Sequence, residues 1–310
     1  MTAETRTVHS APGVSGLLWL DERMVSAEKA RASVLTHSLH YGTAAFEGTR
    51  FYRTNGGRVA IFRLHDHLLR MAFSLKVLKY ELPYAIGELV RATCSVVAES
   101  RLEEGYLRHI AFLDPGIGLT QFGLGVHVAI AALPWQRPAE AEPQSLAIVP
   151  TRKLHPQSVN LRAKLSANYV SSLLAKNEAT DLGADDALML DTRGAVAETS
   201  VANIFAVMGG LIMTPCAEWV FPGITRKSVM QLANDAGISA SERQFHPMVI
   251  KEADEVFITG TAAEITPIRS IDGCTIGDGN PGPITTRLMR LFQDTVRGQN
   301  RNRAEWLMYL

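Results

Sequence analysis

The chain lacks long apolar runs, net charge and any number of cysteines, and each absence removes a class of function. No uninterrupted apolar stretch approaches the roughly 18–20 residues of a membrane helix. The longest candidate, Val126 to Leu133, contains His127 and stops at Pro134, so a buried strand is expected there. The first residues, Met1 to Val14, are polar and carry no apolar core of a signal peptide. Three cysteines (Cys94, Cys216 and Cys274), without CxxC or zinc-type spacing, argue against a disulfide framework and fit a reducing cytoplasm. Lys plus Arg and Asp plus Glu stand at 31 each, so no global field recruits nucleic acid or an anionic membrane. A P-loop, a GxGxxG turn, GxSxG and HExxH are all missing. His37 and His40, like His65 and His67, lie close in sequence without the other ligands of a metal set, and no metal is expected.

What is present is the composition of a globular protein, 46% hydrophobic and 20% charged over 310 residues, long enough for two domains. Strands are expected at Leu17–Leu20, at Arg58–Arg63 after the Asn55-Gly56-Gly57 turn, and at Tyr106–Phe112. From Leu64 the period changes: Leu64, Leu68, Ala72, Leu75 and Leu78 lie three or four apart, one face of a helix, and a second helix is expected over Ala85–Arg101. Between Pro134 and Pro143 three prolines in ten residues oppose regular structure. Beyond them come strands at Ser145–Val149, Ala187–Leu190 and Asn203–Met208, a helix over Asn168–Ala179, and a helix from Thr225 that stops at Gly237. The reading is mixed α/β (α+β): a small N-terminal domain 1–132, a linker 133–143 and a larger domain 144–310.

Few residues announce chemistry on their own. Lys164 sits just before a helix, and an ordinary lysine, with a pKa of about 10.4, is protonated and no nucleophile at pH 7. Burial or neighbouring positive charge must change that. Phe221-Pro222-Gly223-Ile224-Thr225-Arg226 puts Pro and Gly before a helix start, whose free N–H groups and positive dipole end suit a phosphate. Gly260-Thr261-Ala262-Ala263-Glu264 follows a strand with small residues that let backbone approach a ligand. Glu198 lies among small residues after Val196-Ala197.

Taken together, these segments resemble one family. The run His37-Ser38-Leu39-His40-Tyr41-Gly42-Thr43-Ala44-Ala45-Phe46-Glu47-Gly48 is similar to the N-terminal signature of the branched-chain amino-acid aminotransferases. So are Phe62-Arg63, Tyr106-Leu107-Arg108, Ala163-Lys164 with Asn168-Tyr169, Glu198 with Asn203-Ile204-Phe205, Pro222 to Arg226 and Gly260 to Pro267, in one order from about Trp19 to Phe292. The resemblance implies a fold-type-IV pyridoxal 5'-phosphate enzyme with its cofactor between the two domains. It implies Lys164 as the catalytic lysine that carries the cofactor and moves the substrate α-proton. Arg63, the backbone of Ile224 and Thr225, and Thr261 are implied to hold the phosphate, Glu198 the pyridine nitrogen and Tyr169 the ring oxygen. Tyr106 and the Thr261–Ala262 backbone are implied to receive the α-carboxylate. Phe46 and Trp135, with Tyr41 and Leu119 of a neighbouring subunit, are implied to line the side-chain pocket, and Arg108 to meet the distal carboxylate of glutamate. The implied partners are amino acids, 2-oxo acids and a second copy of the chain in a homodimer or higher homo-oligomer.

Three departures from the pattern stand out. His109 replaces the usual proline after the Tyr-x-Arg triplet, Gln136-Arg137-Pro138 follows Trp135 in place of a Gly-Ala-Tyr-like run, and Thr120 to Gly123 differs from the common Asn-Pro form. All three are expected around the substrate. Relatives with the same lysine and glutamate, namely D-amino-acid aminotransferases, R-selective amine transaminases and aminodeoxychorismate lyases, are the alternatives, with a catalytically silent pyridoxal-phosphate protein beyond them. The His-x-x-His-Tyr-Gly run and Tyr106-x-Arg108 favour the branched-chain type.

Overall fold

A computed structural model of the chain describes residues 16–119, 123–135 and 142–310. Residues 1–15, residues 120–122 and the Gln136-Arg137-Pro138 departure lie outside it, as does most of the expected linker. The first half contains β1 (Leu17–Leu20), β2 (Arg23–Ser26), α1 (His37–Tyr41), β3 (Ala45–Arg53), β4 (Val59–Phe62), α2 (Leu64–Val77), α3 (Ile86–Ser100), β5 (Gly105–Leu113) and β6 (Val126–Pro134). The second contains β7 (Gln144–Ile148), a 3-10 turn (Ser166–Asn168), α4 (Tyr169–Asp181), β8 (Asp186–Leu190), β9 (Val196–Thr199), β10 (Asn203–Met208) and β11 (Leu211–Thr214). It continues through α5 (Ile224–Asp235), β12 (Ala240–Glu242), α6 (Pro247–Lys251), β13 (Glu255–Gly260), β14 (Glu264–Ile271), β15 (Cys274–Thr275), α7 (Pro283–Val296) and β16 (Leu307–Tyr309). No helix among the described residues is long and apolar enough to cross a membrane.

Two sheets result. The first runs β2-β1-β6-β5-β3-β4-β16 and is antiparallel throughout. Helices α2 and α3 cover one face: Leu64, Leu68, Met71 and Leu75 of α2 pack with Leu89 and Val96 of α3 on Phe51 and Leu107. Burying each contributes about 1.5–3 kcal/mol. Ala72, expected on this stripe, is half-buried, and Met71 takes its place in the core. The opposite face carries the even-numbered residues of β3 and β5, because side chains alternate along a strand.

In the second sheet β10, β13, β14, β7, β8 and β9 pair in sequence, and β9 pairs back to β10 through Glu198 opposite Asn203. This closes a ring, and it explains why every residue of β8 and β9 is buried. Beneath α5 and α7, Phe205 and Phe257 stack at 4.9 Å, and Phe62 of the first sheet meets Phe292 and Trp306 edge-on. The last strand, β16, returns to the first sheet and sets Leu307 opposite Phe62. Division of the chain at 133–143 is our proposal for its domains, with β16 as a second crossing between the sheets.

Candidate active site

The two sheets meet at Lys164, on the loop between β7 and α4. Backbone bonds fix it: its N–H donates to Ser74 Oγ at 2.9 Å, its carbonyl accepts from Phe46 N–H at 3.1 Å, and Leu165 bridges Ala45 of β3. Its ammonium donates to the Tyr169 hydroxyl and lies 4.7–5.0 Å from the ring centres of Phe221, Phe46 and Tyr169. Loss of water around the ammonium pulls the Lys164 pKa down to about 7; Glu47 and Glu198 oppose this, while Arg70 and Arg108 reinforce it. The amine is therefore about half unprotonated at neutral pH, which removes the objection to an ordinary lysine. Burial, reinforced by Glu198, raises the Tyr169 pKa, so its phenol stays protonated.

Glu198, 3% exposed, occupies the far end of the same region. Its carboxylate meets Lys153 Nζ at 2.5 Å, Asn203 Nδ2 at 2.8 Å and the Phe221 N–H at 3.2 Å. Asn203 Nδ2 also donates to Phe221 O at 2.7 Å, and Gly223 is required beside it, since a Cβ there meets Asn203 Oδ1 at 2.2 Å. The Phe221 N–H reaches both oxygens, so each oxygen of Glu198 carries two contacts and the direction of the carboxylate is fixed. A small cavity bounded by Lys153, Tyr169, Glu198, Asn203 and Phe221 adjoins it.

A third group gathers at the start of α5. Gly223 is the N-cap, without a side-chain cap or an acid in the first turn, so the first N–H groups, including those of Ile224 and Thr225, keep their anion-binding capacity. Arg63 reaches this helix, with Nη1 3.0 Å from Ser228 Oγ and Nε 2.7 Å from Asp66. Arg63 is itself in the left-handed region (φ 52°), pinned by its N–H to Trp306 O at 2.7 Å and by its guanidinium 4.9 Å above the Trp306 ring. Thr261 and Ala262 form the turn from β13 to β14. Glu264, ending that turn, is buried against Arg50 at 3.2 Å and Tyr52 at 2.8 Å, which ties the turn to β3.

The site-facing side of the first sheet supplies the rest. Arg108 lies 4.8 Å from the Phe46 ring centre and 5.3 Å from that of Tyr106, whose ring is 5.6 Å from Trp135. Burial raises the Tyr106 pKa, leaving a neutral hydroxyl. Gly48 makes room for that hydroxyl, because a Cβ there stands 1.8 Å from it. Lys164, Tyr169, Phe46 and Arg108 are thus one cluster. Tyr41 and Leu119 belong to another: the Tyr41 hydroxyl accepts from Gly118 N–H at 2.8 Å, and Leu119 beside it is 81% exposed.

The expectation that the departure at His109 faces the substrate is corrected. His109 points to the opposite side of β5 from Arg108, is 0% exposed and hydrogen-bonds Thr93 of α3 at 3.0 Å. The Thr93 hydroxyl donates to Leu89 O, so His109 Nε2–H is the donor and its Nδ1 has no partner. Of the four histidines weighed as metal ligands, His37 bonds Thr43 and Gly118 O, His40 bonds Val34 O, His67 bonds Glu47, and His65 is exposed. No group of three potential metal ligands occurs among the described residues.

Sequence reasoning missed Lys153, for which no spacing rule gives a signal, and the buried pair of Glu47 with Arg70. Arg70 Nε and Nη2 meet the Glu47 oxygens at 2.6 and 2.8 Å, and Nη1 reaches Pro222 O at 3.3 Å. That pair had a legible cue: His67 and Arg70, three apart in the expected helix, share one of its faces.

An aldehyde-accepting amine, an anion cradle and a buried carboxylate facing one region define a cofactor enzyme. The Amino-transferase class IV family matches residues 44–271, and the chain belongs to that family, whose cofactor is pyridoxal 5'-phosphate. The chain is 42% identical over 296 residues to the branched-chain-amino-acid aminotransferase of Pseudomonas aeruginosa, covering 94% of this chain and 96% of that one. It superposes on the branched-chain aminotransferase of Thermoproteus uzoniensis with norvaline at TM-score 0.91 and 38% identity, covering 95% and 99% of the two chains. It superposes on the PLP-form of the branched-chain amino acid aminotransferase from Thermobaculum terrenum at TM-score 0.91 and 30% identity, covering 96% and 99%. Within class IV it falls among the branched-chain-amino-acid aminotransferases, and the mixed α/β, fold-type-IV architecture expected from the sequence is theirs. The residues present fit the cofactor: the amine of Lys164 for its aldehyde, the uncapped start of α5 with Arg63 for its phosphate, and the buried carboxylate of Glu198 beside the small cavity for its ring nitrogen.

Proposed function

We propose that the enzyme moves the amino group of a branched-chain L-amino acid (leucine, isoleucine or valine) to 2-oxoglutarate, giving the 2-oxo acid and L-glutamate. The observation that carries this is the dehydrated amine of Lys164, pKa about 7, beside the apolar ring of Phe46, over which the cation of Arg108 lies at 4.8 Å. Pyridoxal phosphate, when bound, supplies the electron sink that makes the Cα proton of an amino acid labile. Lys164 takes that proton. Arg63, the N–H groups of Ile224 and Thr225, and Thr261 hold the phosphate, each charge-assisted bond contributing about 1.5–3 kcal/mol. Glu198 holds a proton at the ring nitrogen, and Tyr169 donates to the ring oxygen. Tyr106 and the Thr261–Ala262 backbone receive the α-carboxylate. Phe46 and Trp135 accept an aliphatic side chain, and Arg108 takes the second carboxylate of glutamate in the other half-reaction.

The site is completed across a homodimer, with Tyr41 and Leu119 entering the neighbour's pocket. Val34, Leu35, Leu39, Ile117 and Leu119 support this: they form an exposed apolar surface around Tyr41, linked by Gly116 N–H to Leu35 O and Gly118 N–H to the Tyr41 hydroxyl. Sedimentation of the holoenzyme as a single chain contradicts it. A cytoplasmic location, from cysteine usage, belongs to the same proposal. The function is tested by half-reactions followed through the visible absorbance of the bound cofactor. L-Leucine and L-glutamate both convert it; conversion by D-amino acids or an R-amine, with none by L-leucine, overturns the assignment.

A further inference from the structure

Lys153 has no place in the roles above, yet its ammonium contacts Glu198 more closely than either other donor does. Its side chain is 11% exposed, and that of Glu198 4%. Its N–H donates to Leu190 O at 2.9 Å, which anchors the loop after β7 to the end of β8, so the ammonium projects from a fixed backbone. The other donors to Glu198, the Asn203 amide and the Phe221 N–H, are neutral. Lys153 is thus the one cation paired with this carboxylate among the described residues. The two neutral donors come from β10 and from the turn before α5, so the three donors approach from three separate segments.

From this geometry we infer that Lys153 is a positioning residue for Glu198, fixing the direction of its carboxylate toward the heterocycle nitrogen and compensating its charge. Two effects follow from one contact. Burial penalises a charge that has no compensating partner, so the pair with Lys153 offsets the cost of holding the Glu198 carboxylate among neutral donors. A carboxylate released from Lys153 is also free to rotate about its last torsion, and its oxygens leave the direction set by Asn203 and Phe221. Lys153 does not touch the reacting atoms; it acts through Glu198. The inference deepens the proposed function and rests on its assignment of Glu198.

The test is a double-mutant cycle on the holoenzyme with Lys153→Met, Lys153→Arg, Glu198→Gln and the Lys153→Met/Glu198→Gln pair, with Lys153→Gln in place of the methionine variant should that not fold. The readouts are the pH titration of the cofactor's visible absorbance, the single-turnover rate with L-leucine, cofactor retention on dialysis, and thermal unfolding of the cofactor-free protein. Lys153→Met is expected to shift the absorbance titration by about one pH unit and slow the half-reaction about tenfold, the weight of one pKa unit. The leucine dissociation constant changes less than about twofold, since uniform binding is untouched. Lys153→Arg restores the rate to within about threefold, because a cation is restored at the same carboxylate. In the Glu198→Gln background Lys153→Met adds no further loss. An unshifted titration with an unchanged rate in Lys153→Met overturns the inference, as does an equal loss in both backgrounds, which marks a structural role seen also in unfolding. If Glu198→Gln alone leaves the rate unchanged, the assignment of Glu198 fails instead, and with it the reading on which this inference stands.

Discussion

Lys153 and Lys164 stand at the two ends of one loop, between β7 and α4, and both face the ground around Tyr169 and Glu198. Their surroundings differ in kind. Lys153 ends 2.5 Å from a carboxylate, while Lys164 ends on a protonated phenol and among three aromatic rings. Loss of water among the rings, opposed by Glu47 and Glu198 and reinforced by Arg70 and Arg108, brings the Lys164 pKa down to about 7. Both lysines are largely shielded from water. The neighbours of the two side chains suit them to different duties in the function proposed above.

The largest break in this comparison is removal of the second lysine. Lys164→Ala is expected to abolish the visible absorbance of the bound cofactor and to lower steady-state transamination by at least about 10⁴-fold, since both the attachment and the proton transfer are lost. Steady-state rates with L-leucine check this; turnover near that of the parent means another amine does the work.

Next in size is Arg108→Leu. Arg108 lies over Phe46 and also helps keep Lys164 low. Loss of its guanidinium leaves the second carboxylate of glutamate unpaired, at an expected cost of about 10²-fold in the glutamate half-reaction and less than about fivefold with leucine. Single-turnover kinetics with both donors measure the ratio. Equal losses place Arg108 in the architecture of the pocket rather than in substrate choice.

A smaller effect sharpens the same rule at a residue on the opposite face of β5 from Arg108. His109 is buried with a hydroxyl as its hydrogen-bond partner, and loss of water pulls its pKa down to about 3 from 6.5. The folded state then binds fewer protons than the unfolded state between those values. Stability is fully present above pH 6.5 and is lost as pH falls toward 3, with a slope of up to about 1.4 kcal/mol per pH unit. His67, lowered first by burial, contributes in the same direction. His109→Gln keeps a donor for Thr93 but does not titrate, so its urea midpoint is expected to fall less steeply than the parent's between about pH 6.5 and about pH 4. Parallel curves contradict the assignment.

The sequence made some of this legible and hid the rest for physical reasons. Helices α2 and α3 and strands β5 and β6 are visible because one-sided burial imposes a period on each, while β10, buried on both faces, is visible as a short apolar run. Lys164, Tyr169, Glu198 and the start of α5 are visible because their roles demand fixed residue types inside recognisable segments. Lys153 is invisible because its role needs only a cation at the right point in space, and a long loop delivers it without a pattern. The ring closed by Glu198 and Asn203, and the return of β16 to the first sheet, depend on long-range pairing that no local period encodes. His109 shows the reverse hazard: its place next to Arg108 in sequence suggests the pocket, but strand alternation turns it to the opposite face.

That Lys164 and not Lys153 carries the cofactor is open to one direct measurement. Hydride reduction of the holoenzyme fixes the phosphopyridoxyl group on whichever lysine holds it, and mass spectrometry of a proteolytic digest locates the added mass. The label is predicted on the peptide that contains Lys164, with Lys153 unmodified. A label on Lys153, or on any lysine other than Lys164, contradicts the assignment.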